Sequence, residues 1–252
     1  MRYIDPETIM RRRLEGVEHP GWDAAVVCFR DLEGSRTIVS RFGAAPVSHE
    51  LLWGVEPTED GPTTFTCDMG GRRVVILTRC HWGGPQAAIL VEELAQLGVR
   101  TVVGVGAAGG LIAEFPRGTQ SVASRAVVTD GTSPHYTSRD VVYPDPGLLD
   151  LARTVAGDAG IPTRDACVAT VDAVYRETPE LVESYRAKGA HIVNMETAPF
   201  YAAAARCDVR ALWIGHVSDC LSDSGWEPWD DLDDMTAATA DWAARIIGRL
   251  RS

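Results

Sequence analysis

The stretch Thr101–Leu111, TVVGVGAAGGL, decides how the rest of the chain is read. An apolar, β-branched run (Val102, Val103, Val105) leads into four glycines and two alanines. The run reads as a buried strand and the glycine-rich part as the turn that ends it. A turn almost without side chains lets a ligand approach the main chain. Its successive N–H groups can form a concave site for an anion or a hydroxyl. On this reading Gly106, Ala107 and Gly109 are candidates for holding a phosphate or a water.

The same stretch matches G-x-G-x-x-G, the dinucleotide-binding fingerprint, but its surroundings do not. That motif needs its last glycine to open a helix, with an acid about 20 residues on. Here Gly109 is followed by Gly110, then Pro116 and Gly118, too soon for a full crossover helix. The next segment, Gln120 to Val128, is β-rich. The order is strand, glycine turn, short link, strand.

Outward from this point, the bounds are those of a globular enzyme-sized chain. With 252 residues and 45% hydrophobic content, it can bury a sizeable core. The expected organisation is an N-terminal arm over residues 1–22 and one α/β domain over 23–252, a central mixed β-sheet flanked by helices. A net charge of -11 argues against nucleic acid or an anionic membrane as partner. The six cysteines are scattered, without CxxC or metal-ligand spacing, and read as reduced thiols. No signal peptide or membrane span is legible, so a cytoplasmic location is expected.

Ala24 to Phe29 reads as the first buried strand, followed by a polar turn, Arg30 to Arg36. Loops at the carboxyl ends of strands bind ligands in α/β sheets, so Arg30 and Arg36 are candidate anion contacts. Thr63–Cys67 and Arg73–Thr78 flank Met69-Gly70-Gly71, a hairpin signal. Pro85 suits the start of a helix that Gly98 ends. Asp145 to Ala156, Glu180 to Lys188 and Glu196 to Arg206 read as helices, and Asp165 to Val174 as a strand. Val209 to Val217 reads as an apolar strand closed by Ser218-Asp219. A loop at 221–230 carries Trp226 and Trp229, and a last helix runs from Asp230 to Leu250.

Two acids stand out chemically. Glu196 opens a helix after an apolar run, where a carboxylate is buried on one side. Its two oxygens match the two neighbouring hydroxyls of a ribose, and Met195 beside it offers an apolar face. Asp219 ends a buried strand, where desolvation would raise its pKa and suit it to general-acid work. Each also has a plainer reading as a helix or turn cap.

Taken together, several stretches resemble one family. GGPQAAILVEELAQLG (83–98) followed by VVGVGAAGGL (102–111) looks like the core of the nucleoside phosphorylase and nucleosidase superfamily, nearest its uridine phosphorylase-like members. DGTSPHY (130–136), NMETAPFYAAAA (194–205) and HVSDCL (216–221) resemble its EGTSYHY, MEMEAA-type and SD motifs in the same order. The resemblance implies cleavage of the N-glycosidic bond of a nucleoside. It casts Glu196 and Met195 as ribose ligands and Asp219 as the acid that protonates a purine ring nitrogen. Val174 and Tyr175 match the position that packs on the base. It implies no metal or organic cofactor, phosphate as co-substrate, and a homodimer or a hexamer of dimers.

The departures bear on the nucleophile. The phosphorylases carry an arginine where this chain has Gly104, and a serine or threonine where it has Ala107. Phosphorolysis of a purine nucleoside is the leading expectation, with Arg30, Arg36, Arg79 or an arginine of a neighbouring subunit as substitute ligands. Hydrolysis by a water, activated by a base such as Glu33, is the alternative, and nucleoside binding without turnover a third.

Overall fold

The computed structural model describes residues 3–228 and 233–250. The chain begins with α1 (Pro6–Arg13), β1 (Ala24–Phe29), α2 (Leu32–Phe42), β2 (Ala45–Pro46), β3 (Thr64–Met69) and β4 (Arg72–Leu77). It continues through α3 (Gly84–Gln96), β5 (Thr101–Gly110), β6 (Gln120–Val127), β7 (Val141–Val142), α4 (Pro146–Ala159) and β8 (Thr163–Thr170). It ends with α5 (Pro179–Ala187), β9 (Ile192–Asn194), α6 (Thr197–Arg206), β10 (Arg210–Ser222), β11 (Gly225–Glu227) and α7 (Asp233–Gly248). This is the mixed α/β sheet with flanking helices that the pattern of runs implies.

The sheet order is β11-β10-β6-β8-β9-β5-β1-β4-β3-β2. Because β10 also pairs with β5, the strands β5, β10, β6, β8 and β9 close into a ring. α1, α3 and α6 pack on one face of the sheet, with Met10, Leu90, Leu94 and Phe200 in the core between. α2, α4 and α7 cover the other, through Ile38, Leu148 and Trp242. The N-terminal segment is docked rather than free: Met10 and Trp22 are buried in the first of these cores.

The glycine-rich stretch is not a turn. β5 runs unbroken from Thr101 to Gly110, and Gly104, Gly106, Gly109 and Gly110 all lack the positive φ of a backbone nest. The glycines serve close packing instead. A Cβ on Gly104 would lie 2.9 Å from Phe29 Cε2, 3.1 Å from Trp213 Cδ1 and 3.2 Å from Phe200 Cε1. The space an arginine would need at 104 is filled by three aromatic rings, and 106–110 is extended strand rather than the expected concave turn.

Three other boundaries differ. The polar turn after β1 is the start of α2, capped by the Asp31 side chain accepting from the Gly34 N–H. The Ser218-Asp219 pair does not end β10. A register shift between Val217 and Asp219 absorbs it, and the strand continues to Ser222 before a hairpin to β11. Bulges of this kind re-aim side chains at sheet rims. The expected loop at 221–230 is thus largely that hairpin, while Trp229, Asp230 and Asp231 lie outside the described residues. The strand expected to reach Val174 ends at Thr170, and Val174 sits on a single 3₁₀ turn, Val174–Arg176.

Packing around Gly104 gives a direct test. Gly104→Ala should lower stability by about 1–3 kcal/mol, the usual cost of overfilling a packed core. An unchanged urea midpoint would contradict the contacts described.

Candidate active site

Register explains why distant residues meet. In β5, Gly106 pairs with Phe29 of β1 and Gly215 of β10, and Gly109 pairs with Asp219 of β10 and Val193 of β9. Three strand ends therefore converge on the glycines, and β9 delivers Asn194, Met195 and Glu196 to the same place. A cleft of about 200 Å³ opens there, at the carboxyl ends of β1, β5 and β10. Ala107, Gly109, Val174, Met195, Glu196 and Asp219 all line it, as do His81 and Glu177.

Glu196 is buried, 6% exposed, at the N-cap of α6, yet its side chain does not cap that helix. Asn194 does, its Oδ1 accepting from the N–H groups of Glu196 and Thr197 at 3.3 and 3.2 Å. The Glu196 carboxylate is held from the side. Oε1 accepts from Trp213 Nε1 at 2.9 Å and from Asn194 Nδ2 at 3.2 Å; Oε2 accepts from the Met195 N–H at 3.0 Å. Gly106 makes room for this, since a Cβ there would stand 2.9 Å from Glu196 Oε1. Burial pushes the Glu196 carboxyl up to about 8, against the opposing pull of its hydrogen bonds to Trp213 and Met195.

Asp219 is half-buried at the other end of the cleft. Ser218 Oγ donates to Oδ1 at 2.6 Å and the indole of exposed Trp226 donates to Oδ2 at 2.9 Å. Glu177, between the 3₁₀ turn and α5, faces the same end. Burial, and then Asp219, push its carboxyl up to about 7, and its Oε1 is buried without a hydrogen-bond partner. His81 follows β4, and its Nδ1 is likewise buried and unpartnered. Neither residue was legible in the sequence as a site residue. Glu177 reads as an ordinary acid before a helix, and His81 as one polar residue of the loop leading to Pro85.

Four expected site residues are placed differently. Tyr175 is 98% exposed and does not line the cleft, which of this pair only Val174 does. Arg36 is exposed on α2, as is Glu33, and neither lines the cleft. Arg30 is buried and already engaged: its Nη1 donates to His216 Nε2 at 2.8 Å. His216 Nδ1 meets Thr239 Oγ1 at 3.0 Å, and Thr239 donates on to Gln120 Oε1 at 2.8 Å. Burial, then Arg30, depress His216 to about 3, so the ring is neutral, with its proton on Nδ1. Among the described residues lining the cleft, none is an arginine or lysine.

A larger cavity of about 640 Å³ lies beyond Leu221, lined by Leu111, Ile112, Arg186 and Asp223. Among the described residues its lining holds one cation, Arg186, which donates to the carbonyls of Leu111 and Leu221 and to Asp223. No helix among the described residues is long and apolar enough to cross a membrane.

The ionisation of the buried groups gives stability a defined pH dependence. Glu196 moves from the ordinary 4.5 to about 8 on folding, so its share is complete below 4.5 and is lost as pH rises through 8. Glu177, raised to about 7, acts in the same direction. His216, lowered from 6.5 to about 3, does the reverse: its share is present above 6.5 and lost as pH falls toward 3. The melting temperature should therefore fall between about pH 4.5 and pH 8, most steeply above 6.5 where His216 no longer opposes it, and Glu196→Gln should shallow that fall. Identical slopes for the two proteins would contradict the burial of Glu196.

A family model described as the phosphorylase superfamily matches residues 44–250. A guanosine phosphorylase of Halorubrum lacusprofundi is 32% identical over 176 residues, 68% of this chain and 72% of that one. A DeoD-type purine nucleoside phosphorylase of Streptococcus uberis is 30% identical over 169 residues, 65% of this chain and 70% of that one. An uncharacterised protein of Acanthamoeba polyphaga mimivirus is 30% identical over 167 residues, 66% of this chain and 64% of that one. The native structure of futalosine hydrolase of Helicobacter pylori superposes with a TM-score of 0.72 at 16% identity, covering 92% of this chain and all of that one, a likeness of fold. The match over residues 44–250 places this chain in the phosphorylase superfamily, whose members are nucleoside phosphorylases and nucleosidases that cleave glycosyl bonds.

Proposed function

We propose that the protein cleaves the N-glycosidic bond of a purine nucleoside with water as the nucleophile. The observation that carries this reading is the lining of the cleft: Glu196, Glu177 and Asp219 line it, and no arginine or lysine does among the described residues. Acidic side chains favour a sugar that becomes cationic as the bond breaks, and a wall without cations offers phosphate no counter-charge. Phosphate would forgo charge-assisted hydrogen bonds worth about 1.5–3 kcal/mol each.

Glu196 takes the 2′- and 3′-hydroxyls of the ribose, and Met195 packs on the sugar. Val174 packs on the base. Asp219 donates a proton to the purine ring as the C1′–N bond breaks and its electron pair moves onto the base. His81 takes a proton from water as the new C1′–O bond forms. Transfer of that proton back to Asp219 through solvent restores both groups, and the step needs neither metal nor organic cofactor.

Phosphorolysis is the second reading, favoured by the two sequence relatives named as phosphorylases. It requires cations from outside the cleft wall, such as those of a second copy of this chain.

Incubation of guanosine, inosine and adenosine with and without phosphate separates these. The expected products are free base and free ribose, at a rate indifferent to phosphate. Ribose 1-phosphate formed only with phosphate would replace hydrolysis by phosphorolysis, and binding without any product would leave a nucleoside-binding protein. Glu196→Ala should cut kcat/KM by about 100-fold or more, because the hydrogen bonding that holds the ribose is lost. An unaltered value would place the sugar elsewhere.

A further inference from the structure

We infer that Trp226 is the positioning residue of the proton-carrying acid: it keeps the proton of Asp219 on Oδ1 and sets the pH range over which Asp219 carries it. This rests on the reading of Asp219 as the acid of the cleft and adds the residue that governs it.

Strand register brings the two residues together. β10 absorbs its register shift between Val217 and Asp219, sets Asp219 opposite Gly109 of β5, and runs on to Ser222. The hairpin then returns with Leu221 paired to Trp226 and Cys220 to Glu227. Asp219 and Leu221 are two apart on one strand and share a face, which Trp226 joins from β11. Trp226 and Asp219 are thus diagonal neighbours, a separation that an aromatic side chain spans. The indole Nε1 donates to Asp219 Oδ2 at 2.9 Å.

The two donors on Asp219 differ in kind. A hydroxyl both donates and accepts, whereas an indole N–H only donates. Ser218 Oγ lies 2.6 Å from Asp219 Oδ1 and 3.3 Å from the Ala108 carbonyl oxygen. Its hydrogen can point to either, so Oδ1 is free to accept or to carry a proton. Oδ2 has no such choice, because a proton there would meet the indole hydrogen head-on. The neutral carboxyl therefore holds its proton on Oδ1, with the Ser218 hydroxyl turned to Ala108. When that proton passes to a ring nitrogen, the O–H electron pair stays on Oδ1. Ser218 then swings back to donate to Oδ1, and Trp226 already donates to Oδ2.

The charge around the acid gives the indole its effect. The titratable groups about Asp219 are Glu177, ahead of α5, and Cys220, its neighbour on β10, with Glu227 beyond Cys220 on β11. All ionise to anions, and Asp219, after burial, helps push Glu177 up to about 7. His81 and Glu196 line the same cleft, and no arginine or lysine does among the described residues. Ionised Asp219 thus rests on neutral donors, and Trp226 is the one that cannot reverse. Removing it favours the protonated form, so the acid keeps its proton to higher pH and gives it up less readily.

The test reads the pH profile of kcat for inosine in the wild type and in Trp226→Phe, which keeps an aromatic ring without the N–H. Trp226→Phe should move the alkaline limb up by about one pH unit. It should also lower the plateau by about 10-fold and leave KM within about 2-fold. A lower plateau with an unmoved limb would make Trp226 a strut of the hairpin and overturn the assignment. The magnetic resonance signal of the Trp226 indole N–H, identified by its loss in Trp226→Phe, gives a readout that needs no turnover. In the wild type it should titrate with pH, and Asp219→Asn should abolish that titration. At low pH it should stay distinct from its position in Asp219→Ala, because the bond to Oδ2 outlasts protonation. A low-pH signal coincident with that of Asp219→Ala would place the proton on Oδ2 and overturn the assignment. A titrating signal in a protein that cleaves no nucleoside would refute the catalytic reading of the cleft and uphold Trp226 as the residue that governs Asp219.

Discussion

One buried contact sets the architecture of the site: the carboxylate of Glu196 held by the indole of Trp213 at 2.9 Å, directly over Gly106. A carboxylate this deep must be hydrogen-bonded, and its donors come from three places in the chain. Trp213 supplies one from β10, Asn194 one from β9, and the Met195 backbone one beside it. The indole can lie flat against β5 only because Gly104 and Gly106 have no side chains. The glycine-rich sequence is thus the negative image of an acid and three aromatic rings.

This constraint also explains what the site lacks. A strand stripped to fit Trp213, Phe29 and Phe200 has no room for an arginine at 104. Arg30, at the end of β1, is turned beneath the sheet into a chain of hydrogen bonds through His216, Thr239 and Gln120. The cationic groups near the cleft are therefore structural, and the acidic ones face the space. A neutral His216 and a guanidinium that donates to it form a stable pair, because the ring offers a lone pair rather than a second charge.

The sequence made the local elements legible and the long-range ones only in part. Pro85 and Gly98 mark the start and end of α3, and Asp145 caps α4 as its position suggests, because these signals act within one turn of helix. Glu196, Met195, Asp219 and Val174 meet in one cleft, as their motifs imply. The glycine stretch misled because its extended form depends on pairing with β1, β9 and β10, which no local propensity records. Ser218 and Asp219 look like a strand end, yet pairing with Gly109 carries the strand past them. Arg30 reads as a strand-end cation that could meet an anion, yet its guanidinium is taken by His216, far along the chain. Glu177 and His81 stayed hidden for the same reason: the walls that enclose them are built from distant strands.

The most direct measurement is a crystal structure with a purine C-nucleoside, whose carbon–carbon glycosidic link cannot be cleaved. The account predicts ribose hydroxyls on the Glu196 carboxylate, the sugar against Met195, and the base between Val174, Asp219 and Glu177. Density for the nucleoside in the larger cavity beside Arg186, or a ribose that leaves Glu196 with only its protein partners, would contradict it.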